Sequence, residues 1–552
     1  MSNATLIARC TLVCLFALSS LFLAAGCYVQ AADIPGPTLA LQSLRELKEP
    51  TGTPHAPRIQ SWTLKQGSRV LFVENHHLPM VDLKISFAAG SYYDGEAPGL
   101  AAMTQSLFSV DSARKSADEI ARGFNRYGAQ ITHGINAEQS YLTLRSLSAP
   151  DVLVPVMSLF TETLTQPTFS EQNLSRIRRS LQADLTLEQI IAQARALARI
   201  RAELYAGQPL SRSTNGTYDS LQQMKATQVR DFFQRAYSAA NAQMVIVGDL
   251  TPERAKLLSQ TLADALPQGP ALPAPQTFTA QANSGKTLHI EDAASQTLLV
   301  MAHNTVPNQH PDALALHVAN VMFNHVLNGQ LREKHSVTYG VQSDIEHARG
   351  ATAWITQFNT PPHYSEHAMA HAKTLFAQFL KEGPTEEQLA SIKKYLRQAL
   401  PQLIATNKNL LNELEDINRF DQTLDFTHKI NAIQDMSAAQ IKAAMNRHMN
   451  TTDWVTLTLG PSVAQQALPE IILSEDSGQP FCHSTNWIST AQHTLLGTGP
   501  CCGNRHDGAD RSSLPLGHPA DQRGGVRGHR SCRGLHPDAG PWRGDGNAAR
   551  RS

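Results

Sequence analysis

Apolar and polar residues alternate in four short runs of the chain, each bounded by turn-forming residues. SRVLFVEN from Ser68 and MVDLKISFAAGS from Met80 are the first two; KTLHIED from Lys286 and QTLLVMAHN from Gln296 are the others. A two-residue period predicts half-buried strands. Elsewhere the period lengthens. In FSEQNLSRIRRSL (169–181) and PTEEQLASIKKYL (384–396) apolar residues fall three and four positions apart, which predicts amphipathic helices.

These segments form two parallel series. Leu174, Ile177 and Leu181 match Leu389, Ile392 and Leu396. Further along, MKATQVRDFFQRAYSAANAQMVIVGDL from Met224 matches MSAAQIKAAMNRHMNTTDWVTLTLGPS from Met436, with Arg235 over Arg447 and Gly248 over Gly460. Two matches in one order at nearly one offset predict a body written twice. Each copy closes with a helix, a polar break and a β-rich strand, and the Pro-rich PQGPALPAPQTF (267–278) reads as a linker. The expected fold class is α+β, with two similar halves over 55–266 and 285–470 joined by a linker over 267–284. Each half should hold a mostly antiparallel sheet with helices packed on one face.

The ends are different material. One cation, Arg9, precedes the uncharged run TLVCLFALSSLFLAAG, and small residues follow up to Ala31. That run has 16 residues, short of the roughly 20 that a spanning helix needs. Residues 1–31 therefore read as an export signal rather than a retained anchor. LAAGC, ending at Cys27, resembles a lipoprotein cleavage box and makes Cys27 a lipidation candidate. All other cysteines lie in the same leader or beyond residue 480, so the body has no disulfide framework, thiolate metal site or cysteine nucleophile. A cysteine-free exported body suits a periplasm. Residues 477–552 are rich in Gly, Arg, His and Pro and poor in large apolar residues. They read as disordered or as the product of a frameshift. Net charge is zero with acids and bases interspersed, which excludes a nucleic-acid footprint.

FAAGSYYDGEAPGLA, a strand running into a helix, resembles the insulinase/pitrilysin zinc peptidases, specifically their processing-peptidase-like bacterial branch. So does the stretch from LYAGQPLSRSTNGTYDSLQQMKATQ to VIVGDLTPERA, and the resemblance spans roughly residues 55–465. It implies a helix reading G-L-A-H-x-x-E-H in active members, whose two His bind zinc and whose Glu activates the metal-bound water. A further Glu about 76 residues on completes that site. This chain reads Gly99-Leu100-Ala101-Ala102-Met103-Thr104-Gln105-Ser106. Ala102 and Ser106 replace the ligands, Gln105 replaces the base, and Ala183 replaces the last Glu, with Asp184 beside it. Catalytic zinc takes three protein ligands and a water. The resemblance thus implies a member with no catalytic residue and no bound cofactor of its own.

HYSEH (363–367) spells the inverted zinc motif in the second half, with His363 and His367 as ligands and Glu366 as base. Pro361-Pro362 should block a helix before His363, and Ser365 is placed as the N-cap. Only His367 and His371 would then share a helix face, and Ala444 stands where a downstream Glu would be needed. A solvated helix start is the favoured reading, with no metal. NSGKT (283–287) lacks the earlier glycine of a phosphate loop, since Ala280 stands there.

LREKHSVTYGV (331–341) resembles the family's REKRGLAY segment, which in paired members supplies substrate contacts from the zinc-free subunit. Arg332 and Tyr339 match its Arg and Tyr. A guanidinium can fork onto a peptide carbonyl or carboxylate, and a phenol can donate to an oxyanion. The competing reading is a solvated turn followed by a strand tyrosine packed in the core. The family's upstream glycine-rich loop is reduced here to NHVLNGQ (324–330), which implies a trimmed loop. The expectation is an exported, periplasmic, non-catalytic subunit, membrane-bound only if Cys27 is lipidated. It would pair with a homologous zinc-bearing subunit and lend Arg332 and Tyr339 to a shared chamber that hydrolyses peptide. A stand-alone peptide-binding pseudo-peptidase, or an active metallopeptidase using His363, Glu366 and His367, are the alternatives.

Overall fold

The structure, a computed structural model, describes residues 56–276, 285–350 and 352–469. The leader with Cys27, the end of the linker and the tail from residue 477 lie outside them. Strands β1 (Gln60–Thr63), β2 (Arg69–Glu74), β3 (Met80–Phe87), β4 (Gln130–Ile135), β5 (Ser140–Leu147) and β6 (Ala242–Gly248) form one sheet. Its order is β1-β2-β6-β3-β5-β4. Strands β7 (Thr287–Glu291), β8 (Thr297–Thr305), β9 (Val341–Ile345), β10 (Thr352–Thr360) and β11 (Val455–Gly460) form a second sheet, in the order β7-β11-β8-β10-β9. The second order repeats the first, with β1 as an added edge. Only β2–β6 and β7–β11 pair in parallel.

The first-half helices are α1 (Leu100–Gln105), α2 (Ala117–Arg126), α3 (Pro150–Thr165), α4 (Glu171–Ile190) and α5 (Ala192–Leu204). They continue with α6 (Tyr218–Gln223), α7 (Ala226–Ala236) and α8 (Pro252–Ala265). The second half holds α9 (Ala313–Leu327), α10 (Ser365–Glu382), α11 (Glu386–Leu403), α12 (Asn407–Arg419), α13 (His428–Asp435) and α14 (Ala438–His448). The four runs became strands β2, β3, β7 and β8, but only β7 alternates in burial; β2, β3 and β8 are buried on both faces rather than half-buried, because helices cover each sheet from both sides. The matched amphipathic segments became α4 and α11. Their caps match too: Ser170 accepts from Asn173 N, and Thr385 accepts from Gln388 N. The matched glycines also have one physical cause. A Cβ at Gly248 would lie 2.2 Å from Met80 O, and one at Gly460 would lie 2.3 Å from Thr297 Oγ1. In each half the closing strand ends against the first residue of its neighbour, where no side chain fits.

Each sheet buries one face under helices of its own half, including Leu174, Ile177 and Leu181 in the first and Leu389, Ile392 and Leu396 in the second. The opposite face is covered by a helix from the other half. From α12, Leu410, Leu411, Leu414 and Ile417 pack on Leu71, Val73, Val245 and Val247 of the first sheet. From α5, Ala196, Ile200 and Leu204 pack on Leu298, Val300, Ala302, Val455 and Leu457 of the second. At roughly 1.5–3 kcal/mol for each fully buried aliphatic side chain, this exchange ties the halves into one folding unit.

Carboxylates at the tips of equivalent hairpins finish the clamp. Glu138, between β4 and β5, receives Arg419 Nη2 at 2.7 Å and the N–H groups of Arg349 and Gly350 at 2.9 Å each. Glu346, between β9 and β10, receives Arg201 Nη2 at 2.8 Å and Tyr205 Oη at 2.9 Å. Glu138 and Arg419 are almost wholly buried. Removing one partner of such a pair leaves an uncompensated charge. Glu138→Ala should cost about 3–5 kcal/mol in a urea melt, and a loss below about 1 kcal/mol would show that the pair behaves as a surface ion pair.

The polar side of α12 is less well matched. Glu413 and Asp416 are buried with one oxygen each lacking a hydrogen-bond partner among the described residues, and Lys429 Nζ stands 3.9 Å from Asp416. Burial pushes Glu413 up to about 7 and Asp416 up to about 6, against the pull of Lys429. Glu415 adds to the rise at Asp416, while Arg419 and Lys84 oppose it. A carboxyl whose pKa is raised by folding stabilises the fold below its unfolded value, about 4, and loses that contribution as pH climbs through the folded value. Stability should therefore fall between about pH 4 and pH 7 by something on the order of 1–3 kcal/mol. Glu413→Gln should flatten that slope in melts across the same range; an unchanged slope would exclude Glu413 as its source.

Candidate functional site

The helix that would carry the zinc ligands is held firmly at its start. Gly99 adopts φ +88°, and a Cβ there would lie 2.8 Å from Asn215 O. The Asp94 carboxylate accepts from Gly99 N and Ala101 N at 2.7 Å each. Burial pushes Asp94 up to about 7, against the pull of those two N–H groups. Ser220 Oγ donates to Pro98 O at 2.6 Å, and Glu188 on α4 binds Ser213 and Asn215 at 2.9 and 2.6 Å. The scaffold for a metal is thus present, with α1 packed between α4, α7 and β4.

Its donor set is not. Ala102 is 1 % exposed and fills its place with a methyl group. Ser106 Oγ donates back to Ala102 O at 2.9 Å, so the two former ligand positions satisfy each other within the helix. The Gln105 amide donates to Nδ1 of His133 on β4, and burial holds His133 below the ordinary imidazole range. A neutral His133 accepting at Nδ1 bears its proton on Nε2. After Gln105 the α-helix tightens into a 3₁₀ turn over Ser106–Ser109. Ala183 is exposed on α4 with Asp184 half-buried beside it. An alanine, an alanine and a helix-bonded serine cannot coordinate zinc, and an amide cannot take a proton from water. These residues do not fit the metal.

The HYSEH segment holds no converging ligands: His363, Glu366 and His367 do not bring their donor atoms together. Pro362 opens a 3₁₀ turn, Pro362–Tyr364, because a first-turn position lacks only an N–H that would be unpaired anyway. Ser365 is the first residue of α10 rather than its N-cap, and Tyr364 caps without a side-chain bond. Gln465 takes over that role, its Oε1 accepting from Glu366 N at 3.0 Å. His367 is exposed, and His371 packs edge-on against His335 at 5.1 Å.

Among the described residues, metal-type donors converge only at His310, Asp312 and His448. The sequence offered no signal for this group, since His310 and Asp312 lie in the turn that leads into α9 and His448 ends α14, 136 residues beyond Asp312. Arg447 grips both Asp312 oxygens at 2.9 and 2.7 Å, and His448 Nε2 contacts Oδ2 at 2.7 Å. Those two partners hold Asp312 down to about 2. The His310 Nδ1 lone pair accepts Asp312 N at 3.1 Å. The cluster is a staple between the end of α14 and the start of α9, with its donors already committed.

Arg332 and Tyr339 sit on a built loop. Residues Asn328–Lys334 continue α9 as a π-helix, so NHVLNGQ is helical rather than a flexible glycine loop. The Asn328 side chain ties the loop shut, accepting from Val341 N at 3.0 Å and donating to Val341 O at 3.1 Å. Leu331 and Val337 anchor its interior, joined by Val337 N to Leu331 O at 3.0 Å. Tyr339 precedes β9 and is 89 % exposed, which rules out the core-tyrosine reading. Arg332 is half-buried, and among the described residues neither its side chain nor that of Tyr339 makes a hydrogen bond or ion pair. This loop lies on second-half elements and α1 on first-half elements.

The model of the insulinase family (peptidase family M16) matches residues 69–218, and that of the peptidase M16 inactive domain matches residues 223–396. A peptidase M16 inactive domain from Pseudomonas fluorescens, solved by crystallography, is 31 % identical with a TM-score of 0.71, over 74 % of this chain and 100 % of that one. The non-peptidase homolog YmxG of Helicobacter pylori is 22 % identical over 70 % of this chain and 90 % of its own. Subunit 1 of the mitochondrial cytochrome b-c1 complex of Caenorhabditis elegans is 20 % identical over 74 % and 89 %.

Because Ala102 is buried in the first-half core, Ala102→His should overpack the site and cost about 1–3 kcal/mol. The triple variant Ala102→His, Gln105→Glu, Ser106→His should still retain no stoichiometric zinc in elemental analysis, since Ala183 supplies no third ligand. One tight zinc per chain in that variant would show that a nearby carboxylate can be recruited.

Proposed function

Because the chain belongs to the insulinase family, peptidase family M16, we propose that it is a non-catalytic member that binds peptide and completes the site of a zinc-bearing homologue. One observation carries this reading. The zinc position is filled by Ala102, Gln105 and Ser106, while a closed loop keeps Arg332 without an ion pair among the described residues and Tyr339 in solvent. Holding an arginine and a tyrosine outward on a tied loop costs conformational freedom. A peptide engaging both offsets that cost.

The chemistry divides between the two side chains. Arg332 forks onto a carbonyl or carboxylate of the bound peptide in its ground state. Tyr339 donates to the oxyanion that forms as the partner's metal-bound water attacks. Zinc belongs to the partner and none to this chain. The relatives support a non-catalytic role through the words non-peptidase and inactive in their names, and one of them is by name a subunit of a larger complex. Residues 1–31 support export to a periplasm, with a lipid anchor if Cys27 is modified.

The test is reconstitution with a zinc-bearing M16 homologue encoded by the same genome, assayed on a quenched fluorescent peptide. The chain alone should be inactive, and the mixture should cleave. Tyr339→Phe should lower kcat of the complex by about 10²–10³ with assembly intact, whereas Arg332→Ala should mainly raise KM. Full activity in the double variant would refute the shared site. Peptide binding by the chain alone, with no gain from any homologue, would instead favour a stand-alone peptide-binding pseudo-peptidase.

A further inference from the structure

The HYSEH segment has a partner other than metal. Residues 461–469 form a strap beyond β11 that crosses the start of α10. Gln466 N donates to His363 O at 2.7 Å, and Gln465 Nε2 donates to Pro362 O at 3.1 Å. Gln465 Oε1 caps Glu366 N at 3.0 Å, and Leu468 packs on the second-half core. The last contact is to the Arg332/Tyr339 loop, where His335 Nδ1 donates to Pro469 O at 2.8 Å. His335 lies midway between Arg332 and Tyr339, and its other support is the ring of His371 on α10.

The loop needs holding at that point. Ser336 adopts φ +52°, a left-handed conformation in a residue other than glycine. Such a residue persists only where its surroundings over-determine it. On one side Val337 is buried and bonded to Leu331. On the other, His335 is fixed by its backbone bond to Gln330 O at 3.0 Å and by the strap.

We propose that His335 is a positioning residue, and that the 461–469 strap, clasped by the HYSEH segment, is what holds the Arg332/Tyr339 loop in its binding geometry. The role in peptide binding rests on the reading given under Proposed function; the hold on the loop does not. Hydrogen exchange by mass spectrometry on the full chain separates the two. His335→Ala should speed exchange in residues 329–341 by roughly 2- to 10-fold, the worth of one hydrogen bond, with the global melting temperature unchanged. His335→Asn, whose amide can donate from the place of Nδ1, should restore protection. Gln465→Ala, where the strap is clasped by the HYSEH segment, should reproduce the loss.

Binding of fluorescein-labelled oxidised insulin B chain gives the second readout. Affinity should fall with His335→Ala by a similar factor and recover with His335→Asn. Unchanged exchange in both alanine variants overturns the proposal. Faster exchange with unchanged affinity, where Arg332→Ala does weaken binding, overturns the role in peptide recognition. If Arg332→Ala leaves affinity unchanged, the peptide-binding reading fails, and the exchange data alone decide whether the strap holds the loop.

Discussion

Two sheets with both faces apolar cannot be satisfied within their own halves, and the exchange of α5 and α12 answers that constraint. The first sheet offers Leu71, Val73, Val245 and Val247 on the face turned from its own helices, and α12 covers them with help from Phe426 beyond it. The second offers Leu298, Val300, Val455 and Leu457, and α5 covers those. Neither half could leave such a surface in water without aggregating. The buried Glu138–Arg419 pair and the Glu346–Arg201–Tyr205 group then set how the exchanged helices sit. A buried ion pair adds little net stability, but it strongly disfavours alternative registers that would separate it. The relation between the halves is therefore as fixed as either core.

The vacated zinc site follows from the same economy of buried groups. Histidines and a glutamate facing one another around an absent metal would leave lone pairs and a charge unsatisfied in the interior. Here each replacement has found a local partner: Ser106 on Ala102 O, Gln105 on His133, and a methyl group where a ring would stand. Asp94, Gly99 and Glu188 keep α1 in place although it carries no ligand. The helix now serves as packing, and its neighbours hold it as tightly as chemistry would have required.

Much of the fold was legible because its signals are local. The two-residue and 3.6-residue periods mark strands and helices, and the paired caps at Ser170 and Thr385 mark equivalent helix starts. Gly248 and Gly460 were legible as a match, though their cause lies across the sheet at Met80 and Thr297. The exchange had a signal that is easy to underuse. VLFV in β2 and MVIV in β6 are unbroken apolar runs, which mark strands buried on both faces rather than one. What covers the second face is a long-range fact that no window of sequence contains. The same limit hid His133 behind Gln105 and Gln465 behind Glu366, pairs 28 and 99 residues apart. Ser365 looked like an N-cap because its type favours that position, and a side chain from the strap displaced it.

Arg332 and Tyr339 invert the usual relation between order and contact. Side chains that make no bonds generally sit on segments free to move, yet these two project from a loop closed by Asn328, plugged by Leu331 and Val337 and tied to the strap at His335. The backbone order is built into the loop, so a peptide bound as proposed would have only two side chains left to restrict. In the proposed role, that arrangement would raise affinity by lowering the entropy lost on association rather than by adding contacts. A loop that merely connected α9 to β9 would need neither the π-helical turn nor the left-handed Ser336. Both distortions are tolerable because the rest of the second half over-determines them, and Tyr339, just beyond them, stands in solvent.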